Sequence, residues 1–296
     1  MLVLGFPEYV PQSQALAKEL SAPWEEVEIH QFPDGESRVR LPTVLPSRVV
    51  FCRSLHRPND KLIELFFAAQ AARQSGVRHL ILVAPYLCYM RQDAAFRPGE
   101  VISQTILGGV LANLFDAVIT VDPHLHRTHS LREAVPAKHA LALSAAPKIA
   151  EFLADHAKDS FLLGPDEESE QWVKAIARPH GFHYAVASKV RHGDCDVQIT
   201  IPDTMKDIKR VVIIDDVTST GCTLAEMAAV LQMAGTIQID ALVTHALFAE
   251  GSLERLHRVG IHHVWSTDSI DHSSNVIALA DLLANGVQEV LKTSDI

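Results

Sequence analysis

The run Lys209-Arg210-Val211-Val212-Ile213-Ile214-Asp215-Asp216-Val217-Thr218-Ser219-Thr220-Gly221-Cys222-Thr223-Leu224 constrains this chain more than any other segment. Its apolar, β-branched half predicts a strand buried on both faces, as in a parallel sheet. Two carboxylates stand at the end of that strand. A hydroxyl-rich turn with one glycine then leads into a helical pattern from Leu224 through Leu231. Open α/β sheets bind ligands at the carboxyl ends of their strands. A turn of Ser, Thr and Gly that opens a helix offers backbone N–H groups and the helix dipole to a phosphate. Asp215 and Asp216 would repel that phosphate, so they suit vicinal hydroxyls or a magnesium ion. A phosphate site beside a diol site describes a ribose 5-phosphate. The plainer alternative is an acidic strand end whose Ser or Thr caps the helix. The length of the whole run favours the first reading.

Strand-like and helix-like segments alternate along the chain, which predicts α/β architecture with mostly parallel sheets. In the first half, strands are expected over 49–52, 80–84 and 117–121, with helices over 59–75 and 103–114. In the second half, strands are expected over 161–163, 184–186, 197–201, 211–214 and 241–245. Helices are expected there over 168–179, 224–233 and 277–291. The halves share a strand–loop–helix–strand order around Ile81 and around Ile213. Two similar domains are therefore expected, 1–143 and 144–296, with the last helix packing back on the first domain. A cleft between two such domains is a natural place for two substrates.

A hydrophobic content of 48% with 21% charged residues fits a soluble globular protein with ample core. No apolar stretch reaches the length of a membrane span, and no basic region followed by an apolar one opens the chain. No membrane partner is expected. Cys52, Cys88, Cys195 and Cys222 lack paired spacing, so neither a disulfide framework nor a zinc site is indicated, and cytoplasmic residence is expected. A net charge of −10 argues against nucleic acid as a partner. His124, His126 and His129, and then His262 and His263, cluster without a Cys or Glu at zinc-ligand spacing.

Further short motifs appear in order. They are Phe32-Pro33-Asp34-Gly35-Glu36, Asn59-Asp60, Tyr89-Met90-Arg91-Gln92-Asp93, Val121-Asp122-Pro123-His124, Gly164-Pro165-Asp166, Lys189-Val190-Arg191 and Thr244-His245. With the opening run they make the chain resemble the ribose-phosphate pyrophosphokinase family over nearly its full length. The resemblance implies two type I phosphoribosyltransferase-like domains related by a pseudo-twofold axis. It implies transfer of the β,γ-diphosphoryl group of ATP to the anomeric hydroxyl of ribose 5-phosphate, with release of AMP. It assigns ATP to Phe32, Asp34 and Glu36 of a neighbouring subunit, together with Arg91, Gln92 and Asp93. Phe32 can pack on adenine, carboxylates can accept from its amine, and Arg91 can hold phosphate oxygens. Pro-Asp-Gly is also strong turn chemistry, and a turn and a clamp are compatible.

The same resemblance gives His124 and Asp166 to magnesium, with His124 acting partly through water because magnesium prefers oxygen ligands. It gives Asp215 and Asp216 to the ribose hydroxyls, and Ser219, Thr220, Gly221, Cys222 and Thr223 to the 5-phosphate. Lys189 and Arg191 are one residue apart, so on an extended segment both leave the same face. By resemblance they lie on a loop that closes over the transferring group, where two cations would stabilise its charge. The shared ATP site implies a homo-oligomer, a dimer or a hexamer.

Two departures stand out. The segment from Phe96 to Ser103 looks more like the shorter archaeal members. Glu167-Glu168-Ser169-Glu170 replaces small residues, so these carboxylates must bind metal or point away from a diphosphate. Two other readings remain open: a phosphoribosyltransferase that consumes phosphoribosyl pyrophosphate, and a non-catalytic regulatory homologue.

Overall fold

The computed structural model describes residues 1–95, 97–125, 127–191 and 197–293, without the side chains of Val190, Arg191 and Val197. The chain divides into two compact units, Met1–Ser144 with Leu279–Ile296, and Ala145–Ala278.

The first unit begins with β1 (Leu2–Gly5), α1 (Val10–Glu19), β2 (Trp24–Glu26), β3 (Glu28–Gln31), β4 (Ser37–Arg40) and β5 (Arg48–Cys52). It continues with α2 (Pro58–Gln74), β6 (His79–Val83), α3 (Ser103–Leu114), β7 (Ala117–Val121), α4 (Leu131–Ala134) and β8 (His139–Leu143). The second unit opens with α5 (Ala146–His156), β9 (Phe161–Gly164), α6 (Glu170–Ala177), β10 (Tyr184–Val186), β11 (Ser188–Arg191) and β12 (Val197–Thr200). It is completed by β13 (Arg210–Thr218), α7 (Cys222–Met233), β14 (Gln238–Ala246), α8 (Ser252–Arg258), β15 (Ile261–Thr267) and β16 (Asn275–Ile277). The last helix, α9 (Ala280–Thr293), belongs to the first unit.

The first sheet has the order β2-β1-β5-β6-β7-β8 and the second β10-β9-β13-β14-β15-β16. All neighbouring strands in both sheets run parallel. A separate antiparallel hairpin, β3-β4 in the first unit and β11-β12 in the second, precedes the third strand of each sheet. The two units are therefore the same topology written twice. This alters the internal alignment read from the sequence. By place in the sheet, the strand of Ile213 corresponds to β5, and the strand of Ile81 corresponds to β14. The expected strands over 184–186 and 197–201 are present as β10 and β12, whereas periodicity does not count the short strands β2, β3, β4, β8, β11 and β16.

Central strands such as β6 (HLILV) and β7 (AVITV) are buried almost throughout because helices cover both faces of a parallel sheet. Strand β13 runs four residues past the apolar stretch, pairing Asp215 with Val243, Val217 with His245 and Thr218 with Ala246. The two carboxylates thus lie inside the strand instead of following it. Helix α9 buries Leu283, Ala284, Val287 and Val290 along one stripe and packs on α1 and β8. Gly286 permits that approach, since a Cβ there would lie 2.9 Å from Leu143 Cδ1. The second unit consequently ends at Ala278, short of the chain's end. No helix among the described residues is long and apolar enough to cross a membrane.

Candidate active site

The second unit gathers charged residues just after β9, on the hairpin strand β11 and in the carboxyl-terminal half of β13. At the end of β9, a Cβ on Gly164 would come within 2.2 Å of Ser169 Oγ, so glycine lets the chain fold tightly over this serine. Asp166 then caps the 3-10 turn Glu167–Ser169, with Oδ1 accepting from the Ser169 N–H at 3.2 Å. Ser169 is buried, whereas Glu167, Glu168 and Glu170 are exposed. The acidic side chains of this loop face solvent. Its interior contact is a hydroxyl.

Lys189, on β11, donates to Asp166 Oδ2 at 3.3 Å. Asp215 and Asp216 on β13 complete the group. Burial, followed by the neighbouring charge of Asp216, raises the Asp215 pKa well above the usual carboxylate value, and Asp166 adds to the rise while Lys189 opposes it. These four side chains act on one another electrostatically. As a set they have one lysine against three carboxylates, which favours a further cation.

Beyond β13 the chain passes Ser219 and Thr220 to Gly221, whose φ of +75° suits a residue without a Cβ. Gly221 is the N-cap of α7 and has no side chain, while the Thr220 hydroxyl just before it accepts from the Cys222 N–H at 3.4 Å. The plainer reading, a Ser or Thr cap, survives in part: the Thr220 hydroxyl meets the first helical N–H from the position before the N-cap. First-turn N–H groups behind a glycine N-cap suit an anion. The turn itself is pinned from outside: the Ser219 carbonyl accepts from Ala249 N at 2.9 Å and from Ser252 Oγ at 3.2 Å. The side chain of Arg191, together with Cys195 and the turn His192–Asp194, lies outside the described residues.

Two residues here, Thr218 and Ser269, were not among the candidates read from the sequence, whereas His245 belongs to the Thr244-His245 motif. Thr218 Oγ1 is buried with no hydrogen-bond partner among the described residues. His245, paired across from Val217, is buried with Nδ1 2.8 Å from Ser269 Oγ, which donates in turn to the Thr244 carbonyl. A hydroxyl next to the paired carboxylates was the available signal for Thr218. Nothing local in the sequence announced Ser269.

The first unit carries the other candidates. Phe32–Glu36 is the turn of the β3-β4 hairpin, closed by Phe32 N to Glu36 O (2.7 Å) and Gly35 N to Phe32 O (2.9 Å). Asp34 Oδ1 accepts from Glu36 N at 3.1 Å. Phe32 is 40% exposed, its ring edge-on to His30. After β6, Tyr89 donates to Asn59 Oδ1 at the start of α2. Gln92 is held by Ser103 Oγ on its Oε1 (3.0 Å) and by Gln104 N on its carbonyl (3.2 Å). Arg91 is exposed. The Asp93 carboxylate is taken up by Arg127, at 2.7 Å to Nη1, a partner the sequence did not single out. His124 is half-buried in the loop that follows β7. Among the described residues, no group of three or more His, Cys, Asp or Glu forms a metal-binding cluster.

Comparison with known proteins identifies the family and the fold. The family described as the N-terminal domain of ribose phosphate pyrophosphokinase matches residues 2–117, and the phosphoribosyl transferase domain matches residues 134–279. A ribose-phosphate pyrophosphokinase of Methanopyrus kandleri is 33% identical over 98% of this chain and 99% of its own length. One from Saccharolobus solfataricus is 31% identical over 95% and 97%. The crystal structure of phosphoribosylpyrophosphate synthetase from Mycobacterium smegmatis superposes with a TM-score of 0.85 over 99% of both chains at 20% identity, and so shares the fold. The architecture is α/β, two phosphoribosyltransferase-like domains with mostly parallel sheets. With relatives this similar along nearly the whole chain, it belongs to the ribose-phosphate pyrophosphokinase family.

Proposed function

We propose that this chain transfers the β,γ-diphosphoryl group of ATP to the anomeric hydroxyl of ribose 5-phosphate, giving phosphoribosyl pyrophosphate and AMP. The observation that carries this reading, beside family membership, is the meeting of Asp166, Lys189, Asp215 and Asp216 in the unit whose β13 leads into a helix start with glycine at its N-cap. A sugar phosphate fits that pattern from both ends. Asp215 and Asp216 accept from the ribose hydroxyls, and the backbone N–H groups of Ser219–Thr223 take the 5-phosphate.

Lys189 is the cation for the transferring group. Its ion pair with Asp166 holds the ammonium beside the acceptor, and an arriving diphosphate offers it a stronger anionic partner. Arg191 is assigned the same task by its place two residues on. In-line displacement at phosphorus depends on positioning and charge neutralisation, which a lysine at this point supplies. In the first unit, Arg91 and Gln92 would hold the nucleotide with Asp93, whose pairing with Arg127 steadies the loop. Phe32, Asp34 and Glu36 would complete the ATP site of a neighbouring subunit, which makes the working form a homo-oligomer. ATP and ribose phosphates are intracellular metabolites, so a cytoplasmic setting accompanies this reading.

The chemistry of the donors fits magnesium. Asp166 supplies carboxylate oxygen, and it acts on a second carboxyl, Asp215, whose pKa is raised first by burial and then by the charge of Asp216. His124 is a poor direct ligand and suits a water-mediated contact. Bound there, the ion would supply neutralisation of the diphosphate charge. Incubation with ATP, magnesium and ribose 5-phosphate should yield AMP and phosphoribosyl pyrophosphate in equal amounts. Tight nucleotide binding without AMP would point to a non-catalytic homologue instead.

A further inference from the structure

Beneath the nucleotide hairpin lies a buried charge network that none of the reaction roles above uses. Arg53, just past β5, is only 2% exposed. Its Nε donates to Glu8 Oε1 at 2.7 Å, its Nη2 pairs with Glu64 Oε2, and its Nη1 donates to the Lys61 carbonyl at 3.0 Å. The guanidinium also lies 4.2 Å above the ring of Phe6. Lys61 Nζ returns to Glu8 at 3.3 Å and donates to the Ser54 carbonyl at 2.9 Å. Two cations and two carboxylates thus neutralise one another in the interior, where an unpaired charge is not tolerated.

One arm of this network leads outward. Glu64, on α2 and 6% exposed, gives one oxygen to Arg53 and the other to Ser37 Oγ, which donates at 2.8 Å. Ser37 is the first residue of β4, immediately after the turn Phe32–Glu36. That turn is closed by its own backbone bonds, so it moves as one piece, and its orientation is decided at its root. Ile29 and Val39 pack against the core from the same hairpin, but apolar contacts fix distance better than angle.

We infer that Glu64, oriented by Arg53, is a positioning residue for ATP: through Ser37 it sets the angle at which Phe32, Asp34 and Glu36 are presented. This rests on the assignment of the hairpin to the nucleotide. In this reading neither Glu64 nor Ser37 contacts substrate.

The test compares Ser37→Ala, Ser37→Thr and Phe32→Ala in the full-length protein. Ser37→Ala removes the hydroxyl and leaves the Arg53–Glu64 pair in place. We expect about a tenfold rise in KM for ATP, from the loss of a hydrogen bond to a charged acceptor. kcat, KM for ribose 5-phosphate and Tm should stay near wild type, and amide exchange across 32–36 should quicken. Ser37→Thr should restore KM. Phe32→Ala should raise KM for ATP independently. If Phe32→Ala raises it and Ser37→Ala does not, the positioning role is overturned and the hairpin assignment stands. If Phe32→Ala has no effect, the hairpin assignment fails and this inference with it. A drop in Tm with equal rises in both KM values would reduce Ser37 to a structural contact and overturn the proposal.

Discussion

Adjacent glycines in α3 make opposite predictions, and one of them reaches the active site. Gly108 is packed against the end of α4. A Cβ there would sit 1.7 Å from the Ala134 carbonyl oxygen, 2.7 Å from its carbon and 3.2 Å from Val135 Cα. All three are backbone atoms and cannot swing aside. Carbon–oxygen contacts do not close much below about 3.3 Å, so α3 must retreat by roughly 1.5 Å. Overpacking of this kind costs about 1–3 kcal/mol, and a clash against backbone belongs at the upper end. At roughly 2–4 °C per kcal/mol for a unit of this size, Gly108→Ala should lower Tm by about 6–12 °C. Around Gly109 nothing lies within 4 Å of the added Cβ. Gly109→Ala should therefore stabilise, by about 0.5–1 kcal/mol of helix propensity.

The retreat has a chemical consequence. Ser103 and Gln104, the first residues of α3, hold Gln92 by its side chain and its carbonyl. Gly108→Ala should accordingly raise KM for ATP more than KM for ribose 5-phosphate, whereas Gly109→Ala should change neither. Differential scanning fluorimetry and initial-rate kinetics on the two variants decide the matter. Equal Tm values for the two variants would refute the packing argument.

Lys189→Ala should cut turnover by orders of magnitude with Tm nearly unchanged, because its ion pair with Asp166 is partly exposed and contributes little to stability. Near-normal turnover would remove Lys189 from the mechanism. Burial alone would raise the Glu8 pKa, but Arg53 and then Lys61 outweigh it and hold the carboxyl below its ordinary value of 4.5. A depressed folded-state pKa gives stability that is present above the unfolded value and is lost as pH falls through the folded one. The Tm gap between wild type and Glu8→Gln should then be full at pH 7 and narrow below about pH 4.5. A gap unchanged down to pH 3 would contradict the pairing.

The sequence carried the site of the second unit well because its chemistry is local. Asp215 and Asp216, the Ser219–Thr223 turn and the helix behind it follow one another along the chain, so strand periodicity and turn chemistry announce them together. Even there the strand boundary was misjudged. Pairing with β14 carries β13 through both carboxylates to Thr218, and local propensity does not see a neighbouring strand. Long-range side-chain bonds were harder still. Arg53 is separated from Glu8 by 45 residues, and Arg127 from Asp93 by 34. In the sequence each is simply one more basic residue. The acidic loop shows the converse. Its four residues suggested a charge problem, and the fold resolves it by turning Ser169 inward and leaving Glu167, Glu168 and Glu170 exposed.

The central claim is that a diphosphoryl group leaves ATP intact. Its most direct test is to supply ATP labelled at the β-phosphorus, with magnesium and ribose 5-phosphate, and to locate the label among the products. The account predicts label in the diphosphate of phosphoribosyl pyrophosphate and none in the AMP released alongside it. Label in ADP, with a single phosphoryl group on the sugar, would contradict it.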